Sequence, residues 1–288
     1  MNTKKVRSIS KAGSSHWVGD GFPVQNFFPS TGIDNDINPF LMLDYAGPAH
    51  FDPSQKPHGV GEHPHRGFET VTIAYKGSVE HKDSAGNQGT IHPGDVQWMT
   101  AGSGVVHEEM HEREFSKKGG EFEMIQLWVN LPKAHKMTSP RYQTLLNSDI
   151  PKVNLDQNGS VARIIAGRLN ETIGPANTFT PVSLIDLNLA AGSRIELPVE
   201  TGFNTAFLFV NGSVKIGDAS VYDQARLILM DTAGDTIVLE AIKDSSLLLM
   251  AGRPINEPVA SYGPFVMNTK EEIFQAIQDF QSGKMGRI

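Results

Sequence analysis

The chain has 288 residues, 39% of them hydrophobic and 20% charged, with no cysteine and a formal net charge of −7. That length builds one large domain or two of about 140 residues; the missing thiols exclude disulfides and thiolate metal sites, and the acidic balance argues against direct nucleic-acid binding through a basic face. No apolar run nears the roughly 20 residues of a membrane span, and MNTKKVRSIS lacks the apolar stretch of a secretory signal, so a cytoplasmic address without a membrane partner is expected.

Gly and Pro are spread throughout, and between them run short β-branched or aromatic stretches such as ETVTIAY, MIQLWVNL, VARIIAG, TAFLFVNG and SLLLMAG. Many short strands with turn signals between them predict a mostly β chain arranged as a sandwich or barrel. Near the start of this pattern, GEHPHRGFET at 61–70 sets two histidines around a proline. Residues two apart in a strand share a side at about 6.5 Å, so His63 and His65 can converge on one ion; alone, they also fit two solvated histidines near a turn. Pro64 cannot donate a ladder hydrogen bond, which places the stretch at a strand start or sheet edge.

Further on, HPGDVQWMTAGSGVVHEEMH holds turn, strand, turn and strand, and His107 and Glu109 repeat the same-side spacing. Two such pairs on strands of one small β domain can supply three imidazoles and a carboxylate. That set suits Fe(II) and also holds Mn, Ni, Cu or Zn. Four protein ligands leave two positions of an octahedral ion free, as catalysis or sensing requires. His58, His81 and His92 read as solvated turn positions or as supports for a ligand, and His111 as lying on the ligand side but further out. Arg66 is expected to pair with a carboxylate or carbonyl, and Phe68, Trp98 and Trp128 to belong to a core.

IAYKGSVEHKDSAGNQGTIHPGDVQWM and FLFVNGSVKIGDASVYDQARLILMD echo each other, with Gly77, Ser78 and Val79 matching Gly212, Ser213 and Val214, which points to a duplication. The weakly periodic segment 133–160 reads as the join, giving domains at 1–140 and 141–288. Asn158-Gly159 and Asn211-Gly212 read as turns. All ten histidines lie at or before His135, so the chemistry is expected in the first domain only. At the end, NTKEEIFQAIQDFQSGK reads as a helix: Thr269 and Glu272 form a capping box, Ile273, Phe274, Ile277 and Phe280 a buried stripe, and Gly283 the C-terminal stop.

HPHRGFETVT together with PGDVQWMTAGSGVVHEEM resembles the signature stretches of the pirin family within the cupin superfamily. The resemblance implies two tandem cupin-type β-barrels: an N-terminal metal-binding barrel over 1–140, and a degenerate barrel plus the short helix over 141–288. It implies iron held by His63, His65, His107 and Glu109, whereas the general cupin pattern would take Glu69, which shares the side of 63 and 65 if the strand is unbroken. It further implies an activity like that of quercetin 2,3-dioxygenases on an aromatic enol substrate and dioxygen, with Glu109 taking the substrate proton. Two alternatives stand beside it. One is an iron-dependent redox-sensing protein whose partner is a transcription factor or metabolic enzyme; the other is a cupin isomerase or small-molecule binder.

Overall fold

A computed structural model of the chain describes residues 2–29, 36–222 and 224–288. The described chain is mostly β, and its contacts divide it into two compact units, each assembled from separated segments. The first barrel is built from Ser14–Pro29, Phe40–Asn147 and Ile255–Ile288; the second from Met1–Gly13, Ser30–Pro39 and Ser148–Pro254. The terminal helix therefore groups with the first barrel, not with the second as the 141–288 division had it. An apolar stripe announces that a face is buried but not against what, and here Ile273 and Ala276 pack with Phe265, Met267 and Val106.

In the first barrel a four-stranded sheet runs in the order Gly59–His65, Val105–His111, Val79–Asp83, Gln88–Ile91. A seven-stranded sheet runs in the order Arg141–Leu145, Val96–Thr100, Phe68–Lys76, Gly120–Asn130, Phe40–Phe51, Phe22–Phe28, Ser15–Val18. Arg141–Leu145 lies inside the segment read as a join; it pairs with Val96–Thr100 as an edge strand, so the first barrel continues to Asn147. Directly opposed residues in antiparallel strands point to one side, which puts His65, His107, Glu109, His81, Val79 and Ile91 on one face of the smaller sheet. One end of the interior is apolar, with Val79, Ile91, Phe22, Ala46, Ala74 and Phe122 in a single cluster. His111 packs against it at Phe22 and Phe122, while His63, His65 and His107 gather with one another.

The second barrel is a nine-stranded sheet in which Asn204–Ile216 and Thr236–Gly252 are the long central strands. Asn211-Gly212 is not a hairpin turn; it sits inside Asn204–Ile216, where the register shifts on either side of Asn211 and Gly212 takes φ +104°. The matching Gly77, at φ +74°, lies between two separate strands of the first barrel. The interior here is aliphatic and aromatic, with Ile164, Ile185, Leu187, Phe207, Phe209, Ile216, Ile228 and Leu249 all buried together.

The terminal helix, Lys270–Gln281, starts as its sequence requires. The Thr269 side chain accepts from the Glu272 backbone N–H at 3.2 Å, and the Glu272 carboxylate accepts from the Thr269 N–H at 3.0 Å. Gly283 follows the last turn with φ +78°, a conformation open to glycine. The buried face is Ile273, Ala276 and Asp279, while Phe274 points outward at 66% exposure. Thr269→Ala removes one acceptor at an exposed cap and is expected to cost about 1 kcal/mol, read as a small drop in unfolding midpoint with activity unchanged. A second, six-residue helix at Arg113–Lys118 is capped by Glu112, whose carboxylate accepts from the N–H groups of Glu114 and Phe115.

Candidate metal centre

The three expected imidazoles meet. Gly59–His65 pairs antiparallel with Val105–His111, setting His63 opposite His107 and His65 opposite Val105. Their ligand atoms lie within 4.8 Å of one another, and His63 Nε2 and His107 Nε2 are 2.9 Å apart. His63 Nδ1 lies 2.8 Å from the Gly61 carbonyl. A carbonyl can only accept, so Nδ1 carries the proton and Nε2 is left bare toward the cluster. Burial lowers the His63 pKa, and burial plus the neighbouring imidazoles hold His65 and His107 well below the ordinary histidine range. All three are therefore neutral at pH 7, the form that binds a metal.

Among the described residues, no hydrogen-bond partner completes this arrangement. The Nδ1 atoms of His65 and His107 are buried without a hydrogen-bond partner, and three neutral rings turned on one another leave lone pairs unmatched. Buried polar atoms are rarely left so. A divalent first-row cation fits the donor set, the hardness and the deprotonated state of the ligands.

Glu109 follows His107 at the next inward position of its strand and is 7% exposed. Its carboxylate is not part of the 4.8 Å group of three histidines. Burial raises its pKa to about 7, opposed by the Thr72 hydroxyl beside it. Glu69 is differently placed. The parity argument treats 63–69 as one strand, but the chain leaves the small sheet at His65 and enters the large one at Phe68, with Gly67 between them at φ +88°. Phe68, 5.2 Å from His65, and Thr72, beside Glu109, mark the inner face; Glu69 alternates to the other, with Val71 and Ile73. There its Oε1 accepts from Thr100 Oγ1 at 2.6 Å, and burial raises its pKa to about 7.

The other histidines sort by partner. His111 is packed among Phe22, Phe51, Phe115 and Phe122, and its Nε2 donates to the Gly21 carbonyl at 2.8 Å. His58 Nδ1 sits 3.1 Å from Asp20, and His92 Nδ1 3.0 Å from the Ser78 hydroxyl. His81 departs from expectation: it is 2% exposed and faces the interior. Arg66 pairs with both partner types anticipated, donating from Nε to the Ser103 carbonyl at 2.7 Å and from Nη1 to Asp279 at 2.9 Å. This ties the residue after His65 to the terminal helix. Phe68 and Trp128 flank His65, with ring centres at 5.2 and 5.4 Å, so they are wall as well as core; Trp98 lies on the far face with Glu69.

Among the described residues, the second barrel has no such constellation. It carries a cavity of about 830 Å³ whose lining includes Arg168, Ile173, Val182, Phe203 and Leu249, with no histidine among the residues around it. No described helix is long and apolar enough to cross a membrane.

Comparison with known proteins agrees with the architecture. The Pirin family model matches residues 21–129 and the model described as "Pirin C-terminal cupin domain" matches 184–286. A Pseudomonas aeruginosa protein named "Putative quercetin 2,3-dioxygenase" is 50% identical over 284 residues, covering 99% of each chain, and human Pirin is 36% identical over 99% of this chain and 96% of its own. The crystal structure of a quercetin 2,3-dioxygenase from Acinetobacter baumannii superposes with a TM-score of 0.96 at 48% identity, covering 99% of both chains. Two β-barrels, one with a histidine cluster and one without, on a chain matched by both family models, place this protein in the pirin family.

Proposed function

We propose that this chain is a metal-dependent dioxygenase, using Fe(II), that opens the ring of a flavonol such as quercetin or a related enol. The observation that carries this reading is the trio of neutral imidazoles within 4.8 Å of one another, His65 and His107 buried and His63 half-buried, with a buried carboxylate at the next inward position. His63, His65 and His107 hold the ion, with Glu109 closing the set. A bound divalent ion supplies Lewis acidity toward an enol oxygen and a meeting point for substrate and dioxygen. The protein does the rest. Gly61 orients His63 through Nδ1. The Glu109 carboxylate, buried at the next inward position after His107, is placed to take the proton of the substrate hydroxyl. Phe68 and Trp128 present aromatic surface beside His65 for a planar substrate.

The test is direct. Protein reconstituted with Fe(II) under anaerobic conditions, then given quercetin and air, is expected to bleach the flavonol absorption, and His63→Ala and Glu109→Gln are expected not to. If both variants bleach at the wild-type rate, the proposal is wrong.

A further inference from the structure

Beside the three histidines, the first barrel holds a second set of buried polar atoms that no protein group satisfies. Neither ring nitrogen of His81 has a partner, and Gln97 Nε2 and Tyr142 Oη are likewise buried and unpaired. These side chains come from three strands, Val79–Asp83, Val96–Thr100 and Arg141–Leu145, yet they share one wall. His81 stands opposite Glu109, Gln97 opposite Thr72 beside Glu109, and Tyr142 opposite Met99 two residues on from Gln97. The His81 and Tyr142 rings stack at 4.7 Å with 15° between their planes. Gly89, opposite His81 across the sheet, keeps the space beside Nε2 clear; a Cβ there would come within 2.7 Å of it.

The fold does not require this polarity. In the internal echo His81 corresponds to Ile216, which is 1% exposed in the apolar interior of the second barrel. Native interiors leave few polar atoms unpaired, and four of them gathered next to a candidate reaction centre point to a ligand. Their chemistry describes it. An imidazole offers one donor and one acceptor, and a phenol hydroxyl donates and accepts at once. Gln97 adds an amide donor. None of the three is a Lys or Arg, so the wall is not built to select a carboxylate or phosphate. It matches groups that donate and accept together, carried on a flat ring.

We infer that His81, Tyr142 and Gln97 form a specificity-determining wall that binds the phenolic hydroxyls of a polyhydroxylated aromatic substrate brought to the histidine cluster. This rests on the dioxygenase reading above and adds to it the residues that choose among substrates.

The experiment compares two flavonols: quercetin, and galangin, whose B ring carries no hydroxyl. Fe(II)-loaded protein is titrated with each under nitrogen, following the visible absorption of the flavonol, and the metal content of every variant is measured. Wild type is expected to bind quercetin about tenfold more tightly than galangin, because buried groups built to pair with hydroxyls discriminate against a ligand lacking them. Tyr142→Phe, which keeps the ring stack, and His81→Asn are expected to weaken quercetin about tenfold and leave galangin within about twofold, bringing the ratio near one. A purely structural role would weaken both flavonols in parallel. If that happens, if the ratio is unchanged, or if either variant loses its metal, the inference is wrong and the dioxygenase reading stands. If wild type binds neither flavonol, both fall.

Discussion

Replacing His107 by alanine is expected to lower metal affinity about a hundredfold and, with it, turnover. Structural metal sites with four ligands bind with about 10–16 kcal/mol, so one ligand carries about 3 kcal/mol, or two orders of magnitude. The same substitution has an opposite effect on the metal-free protein. Without an ion, His107 sits 1% exposed with Nδ1 unpaired and Nε2 2.9 Å from another imidazole nitrogen, an arrangement that binding favours and folding alone does not. Metal-free His107→Ala is therefore expected to unfold no earlier than metal-free wild type, while added Fe(II) or Ni(II) raises the midpoint of wild type only. The pH dependence has a definite sign. The folded-state pKa values of His63, His65 and His107 are depressed below the ordinary 6.5. Below pH 6.5 the unfolded chain thus binds more protons than the folded one, and the metal-free protein loses stability as pH falls. His107→Ala removes one of these groups, so its acid loss should be shallower. Thermal scans of both proteins from pH 7 to 5, with and without metal, check the pattern; a steeper acid loss in the variant would count against buried neutral imidazoles.

Lys136→Met is expected to destabilise the first barrel by about 3–5 kcal/mol. The Lys136 side chain is 1% exposed, and its ammonium donates to the carbonyls of Gly67 and Val266 and to the Asn130 side-chain oxygen at 2.8, 2.9 and 2.8 Å. Methionine fills similar volume but leaves three buried acceptors without a donor, each costing about 1–3 kcal/mol with partial relief by relaxation. The loss falls where it bears on the site, since Gly67 lies two residues beyond His65 and the Arg66 backbone exchanges hydrogen bonds with Pro264 and Val266. Burial also lowers the Lys136 pKa to about 8, against the raising influence of Glu257 and Glu272. Between pH 8 and 10.5 the unfolded chain holds the proton longer than the folded one, so this group makes stability rise with pH over that window. The gap between wild type and Lys136→Met should accordingly widen from pH 8 upward, as measured by denaturant titration. A cost below about 1 kcal/mol, or a gap that narrows with pH, would show that the three acceptors find other partners.

The histidine cluster was legible in the sequence because an alternating spacing fixes which side of a strand a residue takes, whatever the tertiary setting; His63, His65 and His107 need only two strands to pair. The barrel pattern and the capping box of Thr269 and Glu272 are local in the same sense. What could not be read depends on long-range partners. Glu69 looked like a rival ligand because parity was counted through Gly67, where the chain changes sheets. Tyr142 and Lys136 sit in a stretch whose short strand and turns carry little periodicity, so neither the edge strand nor the buried ammonium announced itself. Phe274 belongs to the apolar pattern of the helix yet points to solvent, because Ala276 and Asp279 take the inward positions against Met267 and Arg66. For His81, the surrounding polar residues suggested a turn, and only the pairing with Glu109 shows it to be internal.

The two ends of the chain are traded: the first strand, Val6–Ser10, completes the sheet of the later barrel, and the last helix completes the earlier one. Neither barrel is thus a contiguous stretch of gene. A truncation or fusion breakpoint near the middle therefore delivers two incomplete objects, each half lacking an element that the other end of the chain supplies.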